Sequence, residues 1–173
     1  MSKTRSTRHN RKGKVSYHCT NLKFLIDFFN YLGITPEDYG ILGSTSAQCL
    51  REQLRADDLK ISKAMTIAEE LGYTLSVSMK PEDEDDSYVV VLPPTSPAGK
   101  RRLERLAFLE NIMLHYHLSH SALAAMVGCT RGAVASWLRK DDMKISYVIK
   151  LKNKLNLTVK FIFKDANSPR WGK

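Results

Sequence analysis

The segment LRADDLKIS at Leu54–Ser62 returns 84 positions later as LRKDDMKIS at Leu138–Ser146, the two differing only at Ala56 against Lys140 and Leu59 against Met143. An internal repeat constrains a fold more than composition does, because whatever unit one copy forms the other is expected to form too. The match extends outward, with Leu22, Phe24 and Leu25 answering Leu106, Phe108 and Leu109, and Leu71 and Thr74 answering Leu155 and Thr158. Gly72 and Asn156 share a position at which both residue types tolerate a left-handed backbone and end a helix. Beyond it each copy alternates apolar residues. Tyr73, Leu75, Val77 and Met79 in one, and Leu157, Val159, Phe161 and Phe163 in the other, predict half-buried strands that give the copies a surface to join through. The expected fold is therefore mainly α with a small β component.

Ser119–Trp137, SHSALAAMVGCTRGAVASW, predicts two short helices joined by a tight turn. Ser119 caps the first, whose inward face is Leu123, Ala124 and Val127. Gly128 closes it, because glycine accepts the positive φ of a sharp turn, and Ala124 lets a second helix cross close above. Thr130 caps that second helix. Val134, Trp137 and Leu138 then face inward, leaving Arg131, Gly132, Ala135, Ser136 and Arg139 outward. Leu106, Phe108, Leu109, Ile112 and Tyr116 upstream form the stripe of an earlier helix.

On Leu123, Ala124, Gly128, Val134 and Trp137, with the capped helix from Lys144–Ser146 through VIKLKNKLNL, the segment resembles the lambda-repressor-like family, the Cro and phage-repressor (Xre-like) type of helix-turn-helix protein. The resemblance covers residues 103–157. It implies a compact helical domain whose third helix enters the DNA major groove and contacts bases near its N-terminus. The repeat extends this expectation to two tandem units of that kind, each followed by a β-strand. A β-hairpin is expected after the first, over residues 73–92, where SYVVVL returns as a strand.

The copies are not equivalent. Thr35 to Gly43 is one residue shorter than Ser119 to Gly128, Gly43 to Leu50 is one longer than Gly128 to Val134, and Tyr39 or Gly40 stands where Ala124 is expected. Residues 105–164 carry ten Lys or Arg against three acids, whereas residues 21–80 carry six against eight. Surplus cations favour a polyanion through counterion release. Repeat 2 is thus the expected reader of double-stranded DNA. Thr130, Arg131, Gly132, Ala133 and Ser136 lie nearest the base edges, with Arg131 suited to a bidentate guanine contact. His120, Ser121, Arg139, Lys140 and Lys144 are expected to grip phosphates. Ser46, Gln48 and Arg51 are weaker analogues in repeat 1, which serves equally as a dimerisation or partner-binding module.

The net charge of +9 includes six cations and no acid within residues 1–20, a basic arm expected to be disordered alone. The domain reading is this arm, repeat 1 with its hairpin over 21–92, a proline-rich linker over 93–101, repeat 2 with its strand over 102–164, and a tail over 165–173. Glu82–Asp86 form an acidic tip. Cys19, Cys49 and Cys129, odd in number and without metal spacing, suit a reducing cytoplasm, with Cys129 expected as a buried small hydrophobe. No apolar run approaches the roughly 20 residues of a membrane span. His115, His117 and His120 complete no ligand set, and no phosphate loop or nucleophile motif is present, so neither catalysis nor a cofactor is expected. The expectation is a transcriptional regulator acting as a homodimer on a two-fold site. Its alternatives are an antitoxin-like protein-interaction module with only non-specific nucleic-acid contact, and RNA binding through the arm and Trp171.

Overall fold

The computed structural model describes residues 17–83 and 103–167. They form α1 (Lys23–Leu32), α2 (Pro36–Leu42), α3 (Ala47–Ala56), α4 (Ile61–Glu70), β1 (Tyr73–Pro81), α5 (Ala107–His115), α6 (His120–Val127), α7 (Arg131–Lys140), α8 (Ile145–Leu155) and β2 (Leu157–Asp165). The described residues are mainly helical, with one two-stranded antiparallel sheet. Every element of the second half begins 84 positions after its counterpart in the first. The basic arm to residue 16, residues 84–102 with the second strand of the expected hairpin and the linker, and the tail from residue 168 with Trp171 lie outside the described residues.

Local chemistry sets the boundaries. Thr35 and Asp38 form a reciprocal capping box at α2, with Pro36 in the first helical position where its missing N–H costs nothing. Ser46, Ser119 and Thr130 cap α3, α6 and α7 by accepting the N–H three residues on, at 3.1–3.2 Å. Gly128 closes α6 at φ 72°, and Asn156 closes α8 at φ 50°. Both α3 and α7 end on an aspartate in the left-handed region, Asp57 and Asp141, each at φ 51°.

Strands β1 and β2 pair in a register running from Tyr73↔Asp165 to Pro81↔Leu157 and centred on Val77↔Phe161. Those central residues are themselves 84 positions apart, so each half offers the other the same surface, as across a two-fold axis. A second point lies on that axis: the bridge Lys60↔Lys144, closed by Ile61 N–H to the Met143 carbonyl at 3.0 Å and Ile145 N–H to the Leu59 carbonyl at 2.8 Å. Leu75, Met79 and Leu157 are buried beneath the sheet, while Thr74, Ser76, Ser78, Lys160, Ile162 and Lys164 face outward.

The halves also exchange packing. Phe24 and Phe28 of α1 stack on Phe161 and Phe163 of β2, with ring centroids 3.9 and 3.8 Å apart, and α5 packs against β1. One apolar core consequently runs through both halves, from Leu22 and Phe29 to Val148 and Leu151. Sheet, bridge and core join the two halves into one packed body.

Candidate nucleic-acid interface

In the second half the turn between α6 and α7 is Gly128–Cys129–Thr130. Leu123, Ala124, Val127 and Val134 are buried as their spacing predicts, whereas Trp137 and Leu138 are half-buried. The Trp137 indole lies 4.7 Å from the Tyr147 ring, and the Lys150 ammonium sits 5.1 Å from the centroid of Tyr147. This aromatic contact fixes α7 on α8. Cys129 is half-buried rather than buried, with its thiol pushed upward by desolvation.

That packing turns one side of α7 outward. Arg131, Gly132, Ala135, Arg139 and Lys140 are exposed, while Ala133 and Ser136 are half-buried. The Thr130 hydroxyl oxygen is engaged with the Ala133 N–H, leaving its proton available to a ligand. Exposed Ser121 and half-buried His120 stand at the start of α6, and Lys144 lies beyond the end of α7. Among the described residues no carboxylate pairs with Arg131, Arg139 or Lys140. The surface combines small residues, which admit close approach, with uncompensated cations.

The equivalent surface of the first half is closed by acids. Arg51 donates to Glu37 through Nη1 and to Gln48 Oε1 through Nη2 at 3.2 Å, and Gln48 Nε2 donates to Glu52 Oε1 at 2.8 Å. Eighty-four positions on, Glu37, Gln48, Arg51 and Glu52 become Ser121, Gly132, Ala135 and Ser136. Ser46, exposed, caps α3. Two of the three sequence-predicted analogues are thus tied within one acid-bearing network.

The turn of the first half differs as the spacing indicates. Gly40 takes the place of Ala124: a Cβ there would lie 2.7 Å from the Ala47 nitrogen, so α3 crosses α2 more closely than a side chain allows. Tyr39 is fully buried, and its hydroxyl donates to Glu70, whose other oxygen accepts the Ser44 N–H at 3.0 Å. Burial first, then the Glu70 carboxylate, pushes the Tyr39 phenol well above its ordinary range. Gln53 and Lys63 replace Trp137 and Tyr147, leaving an open groove of about 650 Å³ bordered by Lys60, Lys63, Thr66 and Lys144.

The paired aspartates hold this frame. Asp57 accepts the N–H groups of Thr20, Asn21 and Leu22 at 2.9–3.0 Å, and Asp141 those of Glu104, Arg105 and Leu106 at 2.9–3.1 Å. Asp58 accepts the N–H and hydroxyl of Ser146, while Asp142 accepts those of Ser62. Helices α4 and α8 lack a side-chain cap from their own N-cap lysines, so each is capped by the opposite half. The repeated DD-x-K-I-S string carried this signal, since Asp and Ser recur at helix starts, but spacing alone did not reveal that the pairs cross.

Comparison with family models, with curated proteins and with solved structures returned no match. The site rests on its geometry. Among the described residues, no group of three or more His, Cys, Asp or Glu is placed to hold a metal ion, and no helix is long and apolar enough to cross a membrane.

Proposed function

We propose that this chain is a sequence-specific double-stranded DNA-binding protein, a cytoplasmic transcriptional regulator without catalytic activity, built from two tandem lambda-repressor-like helix-turn-helix units. The second unit reads the major groove with α7. Arg131 supplies the bidentate guanine contact, Gly132 and Ala133 permit close approach, and His120, Ser121, Arg139, Lys140 and Lys144 grip backbone phosphates. One observation carries this reading: the second half exposes small residues and uncompensated cations where the first places Glu37 and Glu52 over Arg51 and Gln48. Duplex DNA favours the former surface and repels the latter.

Selection from a random duplex library at physiological salt, with wild type and Arg131→Ala, tests it. Wild type should enrich one motif that blurs in the variant; failure of both to enrich any motif overturns the proposal. A second reading, a protein-interaction module of the antitoxin type, is supported by Tyr31, Ile41 and Leu42 in the first half, which are 79%, 85% and 68% exposed. Sequence-indifferent, salt-sensitive DNA affinity alongside tight capture of a protein through those residues would favour it.

A further inference from the structure

Symmetric association sets each residue of a pairing surface against its own equivalent. Both equivalents here belong to one chain: Val77 faces Phe161 in the sheet, Lys60 faces Lys144 at the bridge, and the Asp58–Ser146 and Asp142–Ser62 contacts are reciprocal. The like surfaces of the two halves are therefore occupied by each other within one chain.

The bridge has a further property. Its hydrogen bonds flank Lys60 and Lys144 without joining them, the arrangement in antiparallel ladders that brings opposing side chains closest. Like charges so placed oppose folding. Asp58 approaches Lys144 at 3.6 Å, but its oxygens also serve Ser146, as those of Asp142 serve Ser62. Lys63, which donates to Thr45, borders the same groove, whose lining also carries the carboxylates of Glu52 and Asp58. Both bridge lysines are exposed. The groove is lined by α3, α4 and the loop between them, and Lys144, four residues past the end of α7, joins it from the second half.

We propose that a single chain is the complete DNA-binding unit, and that Lys60 and Lys144 form a backbone-phosphate site on its internal axis beside the groove read by α7. A phosphate between the two ammonium groups relieves their mutual repulsion and fixes α7 in register. The inference rests on the DNA reading above and replaces the homodimer expected from sequence.

The test uses the full-length protein and the duplex enriched in the selection described above. Native mass spectrometry counts chains per duplex. Titrations over a salt series compare wild type with Lys60→Gln/Lys144→Gln and Lys60→Arg/Lys144→Arg, with thermal melting as the folding control. The expected results are one chain per duplex, a salt slope lower by about one in the glutamine pair, as befits one shared phosphate, and recovery of that slope in the arginine pair. Two chains per duplex, or an unchanged slope in a folded glutamine pair, overturns the inference while Arg131-dependent enrichment leaves the DNA reading standing. Absence of any enriched duplex overturns both.

Discussion

Asp142 accepts both the backbone N–H and the hydroxyl proton of Ser62, at 3.0 and 2.6 Å, across a sequence separation of 80 residues. The contact caps α4 with a residue from the other half, and Asp58 returns it to α8 through Ser146. Replacing Asp142 with Ala leaves the first turn of α4 without a side-chain acceptor and should cost about 1–2 kcal/mol in urea denaturation. Ser62→Ala should cost less, because the N–H contact survives. A double-mutant cycle should give a coupling of about 1 kcal/mol; a value near zero would show the pair to be independent.

Asp57 and Asp141 should make the fold acid-sensitive. Burial alone pushes the Asp141 carboxyl up, but the N–H groups of Arg105, Leu106 and Glu104, with the Arg105 charge, together hold it below the ordinary carboxylate range. Asp57 is held down likewise, against burial, by Asn21, Leu22 and Thr20. A depressed folded-state pKa contributes stability that is present above the unfolded value, about 3.9, and is lost as pH falls through the lower folded one. Urea midpoints should therefore stay level as pH falls toward 4 in this respect and drop below it. Asp57→Asn/Asp141→Asn should flatten that drop, whereas an equally steep decline would assign acid lability to other groups.

Much of this fold was legible because its signals are local. The caps Ser119 and Thr130, the positive-φ Gly128 and Asn156, and the alternation of β1 and β2 each follow from residues within one turn or strand. The pairing of the halves was readable only as a surface for joining. That Phe24 stacks on Phe161, or that Asp58 reaches Ser146, depends on a two-fold arrangement no spacing encodes. The outward residues of α7 followed from helical period, although Ala133 and Ser136 are half-buried because the helix leans on Tyr147 through Trp137. Closure of the first-half surface was hidden for a different reason, since Glu37 meets Arg51 where α2 and α3 cross inside one half.

Gly40 and Ala124 occupy equivalent positions with opposite tolerances. Helix propensity alone makes Gly40→Ala favourable by about 1 kcal/mol. The added methyl, however, would meet the Ala47 backbone at 2.7 Å, and backbone cannot turn aside as a flexible side chain can. Overpacking of this kind costs about 1–3 kcal/mol, so Gly40→Ala should lower the melting temperature. A higher melting temperature would mean that α2 and α3 separate at little cost.

Glu37 and Glu52 act as a clamp on the first-half surface. Glu37→Gln/Glu52→Gln removes two negative charges and frees Arg51 and Gln48 from charged partners. DNA affinity should rise for all sequences alike, and the salt slope should steepen by about one as Arg51 gains a phosphate. The motif recovered in selection should not change. A new half-motif in the selected sequences would instead make α3 a base reader.

Arg131 and Lys140 stand at opposite ends of α7, and their positions separate reading from holding. On the proposed reading the planar fork of Arg131, at the N-terminal end, is set to meet base edges, and bidentate pairing with guanine discriminates by about 1–3 kcal/mol. The Lys140 ammonium, at the C-terminal end, is on that reading left to phosphates, which are the same at every base pair. Arg131→Ala should thus lose affinity for the selected motif while keeping its affinity for unrelated duplexes, compressing their ratio by about 5- to 150-fold. Lys140→Ala should weaken both together and lower the salt slope by about one. Binding isotherms on a matched and a scrambled duplex at several salt concentrations measure both quantities. Equal compression of the ratio by the two substitutions would show that groove entry is not led by the N-terminus of α7.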